Sequence, residues 1–290
     1  MTEWRSWQSW RRLVAIARAR SGGSAAAAGS LAAGSLADLV EGIGNYAPED
    51  YPAAIREIAD ELLVNRPSMA PIVGLVNAVY LGLPLGPEDL AAELRLIERR
   101  MAASTGLLAE VGAGLIDAGS NILTHGASVS VKGMLLRASE DRRFSVSCAA
   151  TLPLGEGIEL AADLANEGLP VEVVPDDQVP DALPGADLVL LGANAFGPER
   201  ALNVTGSGEI VEEARSFGVP VYLAASVEKA LPGVLFERAA VSAQATGEFE
   251  PIPLAAATSI ITEIGVLDPL AAGKLAADRR VAPELVAGRG

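Results

Sequence analysis

Two short stretches hold most of the groups that could do chemistry. Asp187–Ser207 opens with an apolar run, Leu188–Leu191, that breaks at Gly192-Ala193-Asn194. It then passes a turn at Gly197-Pro198 and reaches Asn203-Val204-Thr205-Gly206-Ser207. A short apolar run bounded by turn residues reads as a buried parallel strand, and the loop after such a strand is where open α/β sheets bind ligands. The loop offers Asn194, a carboxamide that exchanges hydrogen bonds but does not ionise, where a carboxylate would serve acid–base work better. Thr205-Gly206-Ser207-Gly208-Glu209 opens a helical pattern. N–H groups at such a start can cradle a phosphate, and equally Ser207 can be a plain N-cap. The second stretch, Asn121–Ser128, carries His125-Gly126 after another apolar run. His125, the only imidazole, is either an acid–base group or a hydrogen-bonded ring that orients its loop.

Other candidates are weaker. Cys148 falls at the end of a strand pattern and reads as a buried core thiol. Asp176 and Asp177 follow a third strand and suit capping or solvation as well as catalysis. Ser21-Gly22-Gly23-Ser24 is either a linker or a second phosphate-approaching loop, and Arg66, before Pro67, is either an anion contact or a surface charge at a helix start.

The composition limits the function classes. The 290 residues are half apolar but only 4% aromatic, so the core is aliphatic. The formal net charge is −15, which argues against generic nucleic-acid binding while leaving room for a local anion site. One cysteine excludes an intramolecular disulfide, and one histidine excludes a His-rich metal centre. Neither a metal nor a cofactor is expected. The basic, aromatic N-terminus reads as an amphipathic helix and not as a signal peptide, and no apolar run is long enough to span a membrane. A cytoplasmic protein is expected, with no membrane partner.

These residues must be positioned by two kinds of element. Residues 1–119 read as helices: a Trp4-Trp7-Trp10 stripe, a small-residue helix from Ala25 to Ile43, and further helices at Ala53–Val64, up to Gly82, and from Glu88 to Ala118. From 120 to 290 strands alternate with helices. Strands are predicted at 121–124, 143–148, 171–174, 188–191 and 219–224. This is the pattern of an α/β, Rossmann-like parallel-sheet domain following a helical N-terminal domain. In the usual order 3-2-1-4-5 the switch point puts His125-Gly126 beside Asn194.

At these loops the chain resembles the family that unites the alpha, beta and delta subunits of initiation factor 2B with methylthioribose-1-phosphate and ribose-1,5-bisphosphate isomerases. The motifs are Ile122–Ser128, Gly192-Ala193-Asn194, Asn203–Ser207, Gly218–Leu223 and Ile260–Leu267, with Arg66-Pro67-Ser68 before them. The resemblance runs from about residue 20 to 270 and implies dimers or higher homo-oligomers. It also implies a ligand, a phosphorylated sugar or nucleotide, near Gly22, Gly23, Ser24, Arg66, His125, Ser128, Asn203, Gly206 and Ser207. The family's isomerases carry a cysteine where this chain has Gly126 and an aspartate where it has Asn194. Val204 replaces a lysine, and Leu152 replaces an arginine before Pro153. Aldose–ketose isomerisation needs an acid and a base, and losing one typically costs ~10²–10⁴ in rate. The expectation is therefore a binding protein with both catalytic positions substituted; the alternative is an active pentose 1-phosphate isomerase of altered mechanism.

Overall fold

The computed structural model describes residues 3–19 and 24–286, so Gly22 and Gly23 lie outside the described residues. The chain divides into two compact units, one of residues 1–104, 231–242 and 279–290, the other of residues 105–230 and 243–278.

The first unit is helical. After a 3-10 turn at Glu3–Ser6 come α1 (Gln8–Arg18), α2 (Ala25–Tyr46), α3 (Tyr51–Asn65), α4 (Ala70–Gly82) and the N-terminal part of α5 (Pro87–Ala113). The tryptophan stripe is largely core. Trp4 and Trp10 are buried with their rings edge-to-face at 4.7 Å, and Leu13 and Ala17 continue the apolar face along α1. In α2 the small residues allow close packing: a Cβ on Gly29 would stand 2.8 Å from the Met101 sulfur of α5. Asn77 of α4 binds residues distant in sequence. Its Nδ2 donates to the Arg280 carbonyl and its Oδ1 accepts from the Ala282 N–H, both at 2.9 Å.

The second unit begins inside α5 and continues with β1 (Asn121–His125), α6 (Val129–Ser139), β2 (Ser145–Ala149), α7 (Glu156–Asn166), β3 (Val171–Val174), α8 (Val179–Ala182) and β4 (Leu188–Gly192). It goes on through β5 (Ala195–Phe196), β6 (Arg200–Val204), α9 (Ser207–Ser216) and β7 (Val221–Ala224). Beyond α10 (Gly233–Gln244), most of which belongs to the first unit, come β8 (Phe249–Pro253), β9 (Ser259–Thr262), β10 (Gly265–Leu267) and α11 (Pro269–Ala277); α12 (Pro283–Val286) belongs to the first unit again. Seven strands form the main sheet in the order β10-β9-β7-β4-β1-β2-β3, parallel except for β10. The five strands expected from sequence therefore stand in the expected order 3-2-1-4-5, and the chain is an α/β protein with helices before a Rossmann-like sheet.

Period-two alternation explains why these strands are so uniformly apolar. Ile122, Val146, Cys148, Leu188 and Leu190 face one core with Leu108, Met134 and Leu135. Leu123, Ala149, Val189 and Leu191 face the other, with Phe196, Val211 and Ile260. Leu108 and Ala113, at the end of α5, are part of the first of these cores. That is why the contact boundary falls within α5, whereas the sequence pattern changes only near residue 119. A second sheet, β5-β6-β8, is antiparallel and was not expected from sequence. It takes up Asn203, which in the sequence leads into the helical pattern that follows.

Candidate functional site

The parallel strands end together, and their terminal residues line one edge of the second unit. His125 closes β1 beside Ala149 of β2, and β4 runs along the other side of β1. The His125 ring is 5% exposed, and its Nδ1 lies 2.9 Å from the Ser207 hydroxyl. Burial lowers its pKa, with Asp176 pulling weakly the other way, so the ring is neutral at neutral pH. Ser207 is fully buried and is the first residue of α9; the N-cap is Gly206, so Ser207 does not act as the N-cap.

Gly126 and Gly206 hold the two loops in left-handed conformations, at φ 76° and 99°. The Gly126 N–H donates to the Thr151 hydroxyl at 3.0 Å, and a Cβ on Gly126 would meet Val204 Cγ2 at 3.2 Å. The 122–128 and 203–207 stretches thus meet directly, at His125–Ser207 and at Gly126–Val204. Ser128 caps α6, accepting from the Val131 N–H at 3.3 Å, and packs against Gly192. Asn194 is partly buried; its N–H donates to the Leu202 carbonyl at 2.8 Å, and its carboxamide has no hydrogen-bond partner among the described residues. Asn203 is buried beside Glu250, its cross-strand neighbour on β8, and its Nδ2 has no partner among the described residues.

The protein's own carboxylates satisfy the backbone N–H groups along this edge. Glu250 Oε1 accepts from Gly206 N at 3.0 Å and from Gly208 N at 2.7 Å, the groups expected to cradle a phosphate. Asp176 accepts from Thr151 N at 2.7 Å and from Leu152 N at 2.8 Å and so caps the loop after β2. Glu263 accepts from Val227 N through both oxygens, at 3.1 and 2.9 Å. The one ammonium at the edge, Lys229, donates to the Ala193 carbonyl at 2.7 Å. Burial pushes its pKa down to about 8, with Glu263 opposing. Neither Lys229 nor Glu250 stands out in the sequence: only the pairing of β6 with β8 brings Glu250 to Gly206.

A cleft of about 330 Å³ opens at this edge, with His125, Asp176, Glu209, Glu213 and Glu250 among its lining residues and no lysine or arginine among the described ones. Cys148 lies away from it in the sheet core, where burial raises the thiol to about 12, as expected of a structural cysteine. Ser24 caps α2, and the Arg66 guanidinium donates to the Ile16 carbonyl in the last turn of α1 and to the Ala19 carbonyl just after it. Among the described residues no three His, Cys, Asp or Glu side chains are grouped to hold a metal, and no helix is long and apolar enough to cross a membrane.

A doubly wound sheet with His125-Gly126 and Gly192-Ala193-Asn194 at its switch point defines a class of crevice protein, and comparison with known proteins defines the family. The chain matches the model of the initiation factor 2 subunit family over residues 23–252 and belongs to that family. It is 29% identical over 230 residues to a putative translation initiation factor eIF-2B subunit 2-like protein of Pyrococcus abyssi, covering 74% of this chain and 82% of that one. It is 27% identical over 267 residues to a ribose 1,5-bisphosphate isomerase of Methanocaldococcus jannaschii, covering 83% and 85%. Its fold superposes on a chain of the tetrameric eIF2B-beta2-delta2 complex from C. thermophilum with a TM-score of 0.73, at 17% identity, over 95% and 97% of the two chains.

Proposed function

We propose that this chain is a non-catalytic initiation factor 2B-like protein, cytoplasmic and homo-oligomeric, that keeps a crevice for a phosphorylated sugar or nucleotide without turning it over. One observation carries the reading. Gly126 and Asn194 stand where the sequence resemblance puts the thiol and the carboxylate of the family's isomerases, and neither can take up or release a proton in the working pH range. The glycine backbone at Gly126 and Gly206 keeps the crevice loops in shape, and relatives named as isomerases of phosphorylated sugars supply the ligand class. A phosphoryl group arriving at α9 takes the N–H groups of Gly206 and Gly208 in place of Glu250. The tetramer named for a structural neighbour supports assembly as the working state.

A second reading, an active pentose 1-phosphate isomerase, is favoured by Lys229. Burial pushes its amine down to about 8, and it is hydrogen-bonded one residue from Asn194. Incubation with ribose 1,5-bisphosphate separates the two. The proposal expects a thermal-unfolding shift without product; turnover at an ordinary enzymatic rate would overturn it, as would no shift with any phosphorylated sugar or nucleotide.

A further inference from the structure

The two edges of the main sheet are built differently. One is β3, and the other is β10, which pairs only with β9. The Ile261 carbonyl accepts from the Ala225 N–H at 3.0 Å, so the backbone groups of Ile261 face β7. Alternation turns those of Ile260 and Thr262 toward β10, where they meet Leu267 and Gly265. Val266, between them, therefore points its N–H and C=O away from β9, and neither has a partner among the described residues. An exposed edge of this kind is a template for another strand unless a charge, a proline or a bulge blocks it. β10 reads Gly265-Val266-Leu267 and carries no charge and no proline. Apolar side chains surround the open groups. Val266 is 42% exposed, Ile264 in the preceding turn 64%, and Leu270 in the first turn of α11 84%.

Charge and symmetry select what covers this edge. The chain carries a net charge of −15, so most of its surface repels a second copy. Residues 264–277 hold one acid, Asp268, and one base, Lys274, and are neutral overall. The opposite edge is the contrast: residues 167–177, around β3, hold Glu167, Glu172, Asp176 and Asp177 and no base. A second copy is thus repelled at β3 and not at β10. A residue with both backbone groups open also suits a two-fold axis, because antiparallel strands exchange both bonds between residues directly opposite each other.

We propose that β10 is the seam of a homodimer, with Val266 of one copy opposite Val266 of the other. Each Val266 N–H donates to the other's C=O, and Ile264 and Leu270 add apolar contact beside the axis. The two main sheets then run on as one across the two-fold. The inference rests on the homo-oligomeric reading above and assigns it a surface; it is independent of the ligand.

Sedimentation equilibrium on the full chain tests the seam with Val266→Lys and Val266→Glu. Each alone sets like charges directly opposite across the axis, so the dimer dissociation constant should rise about tenfold or more. Mixing the two variants should restore association, because the seam sets position 266 against itself. Val266→Pro removes the outward N–H and no bond to β9, and it should weaken the dimer as well. Val173→Lys, on β3, is the control and should leave the dimer unchanged. Each variant's melting curve confirms that it folds. A dimer that survives all three Val266 variants removes the seam and leaves the homo-oligomeric reading standing, and so does a mixture no tighter than its components. Equal weakening in Val173→Lys would show a general effect of charge and also sink the seam. A wild type that stays monomeric at every concentration removes both the seam and the homo-oligomeric reading.

Discussion

The His125 ring and the Ser207 hydroxyl, 82 residues apart in sequence, meet at 2.9 Å inside the protein. This contact joins the end of β1 to the start of α9 and fixes how the ring faces the cleft. Removing the hydroxyl leaves a buried ring nitrogen without a partner. Ser207→Ala should therefore lower stability by about 1–3 kcal/mol, the usual cost of an unsatisfied buried polar atom. Urea unfolding measures this; a change below about 0.5 kcal/mol would mean that water takes over the bond.

Gly126 tests the backbone of the same loop. Its φ of 76° disfavours any side chain, and a Cβ would sit 3.2 Å from Val204 Cγ2. Gly126→Ala should cost about 1–2 kcal/mol from the left-handed conformation, with crowding added. If the crowding is real, Gly126→Ala/Val204→Ala loses less than the sum of the two single variants, which a double-mutant cycle detects.

Glu250 caps α9 on the two N–H groups to which the proposed function assigns a phosphoryl group. In Glu250→Ala, α9 loses a charged acceptor bonded to two N–H groups, at a cost of about 1.5–3 kcal/mol. The emptied N–H pair should then accept inorganic phosphate, so added phosphate should raise Tm more in the variant than in the wild type. An equal response in both proteins would place any phosphate site elsewhere.

Lys229 gives stability a pH dependence of known sign. Its pKa falls from 10.5 in the open chain to about 8 in the folded protein. Between those values the unfolded chain holds the proton and the folded one does not, so stability contributed by this group rises with pH across that window. Below about 8 both states are protonated and the burial penalty is complete. The stability of the wild type relative to Lys229→Met should therefore increase from pH 8 to pH 10.5. Parallel stability–pH curves for the two proteins would remove Lys229 as the cause.

Much of the second unit was legible because buried parallel strands advertise themselves. Val189, Leu190 and Leu191 leave no polar face, and the glycine and turn residues after them mark the loops. Strand order followed from the usual arrangement of doubly wound sheets. The small antiparallel sheet was hidden: β5 has two residues, and β8 contains Pro251 and Pro253, which argue against a strand except at an edge. Because β8 was hidden, so was Glu250. The sequence offered Gly206 and Ser207 as an open cradle, and only the pairing of Asn203 with Glu250 shows a carboxylate in it. Lys229 was illegible for a different reason. A lysine in a short polar segment usually points to water, and only the fold shows its amine hydrogen-bonded to Ala193.

The bonds from Asn77 to Arg280 and Ala282 have a consequence for synthesis. A chain emerging from the ribosome presents its first five helices early, but the partners of Asn77 arrive more than 200 residues later. The sheet unit can pack while the helical unit still waits for its last pieces. Truncating the gene after the first five helices would not yield a finished helical module, because residues 280 and 282 belong to it, and the sheet unit itself runs to residue 278.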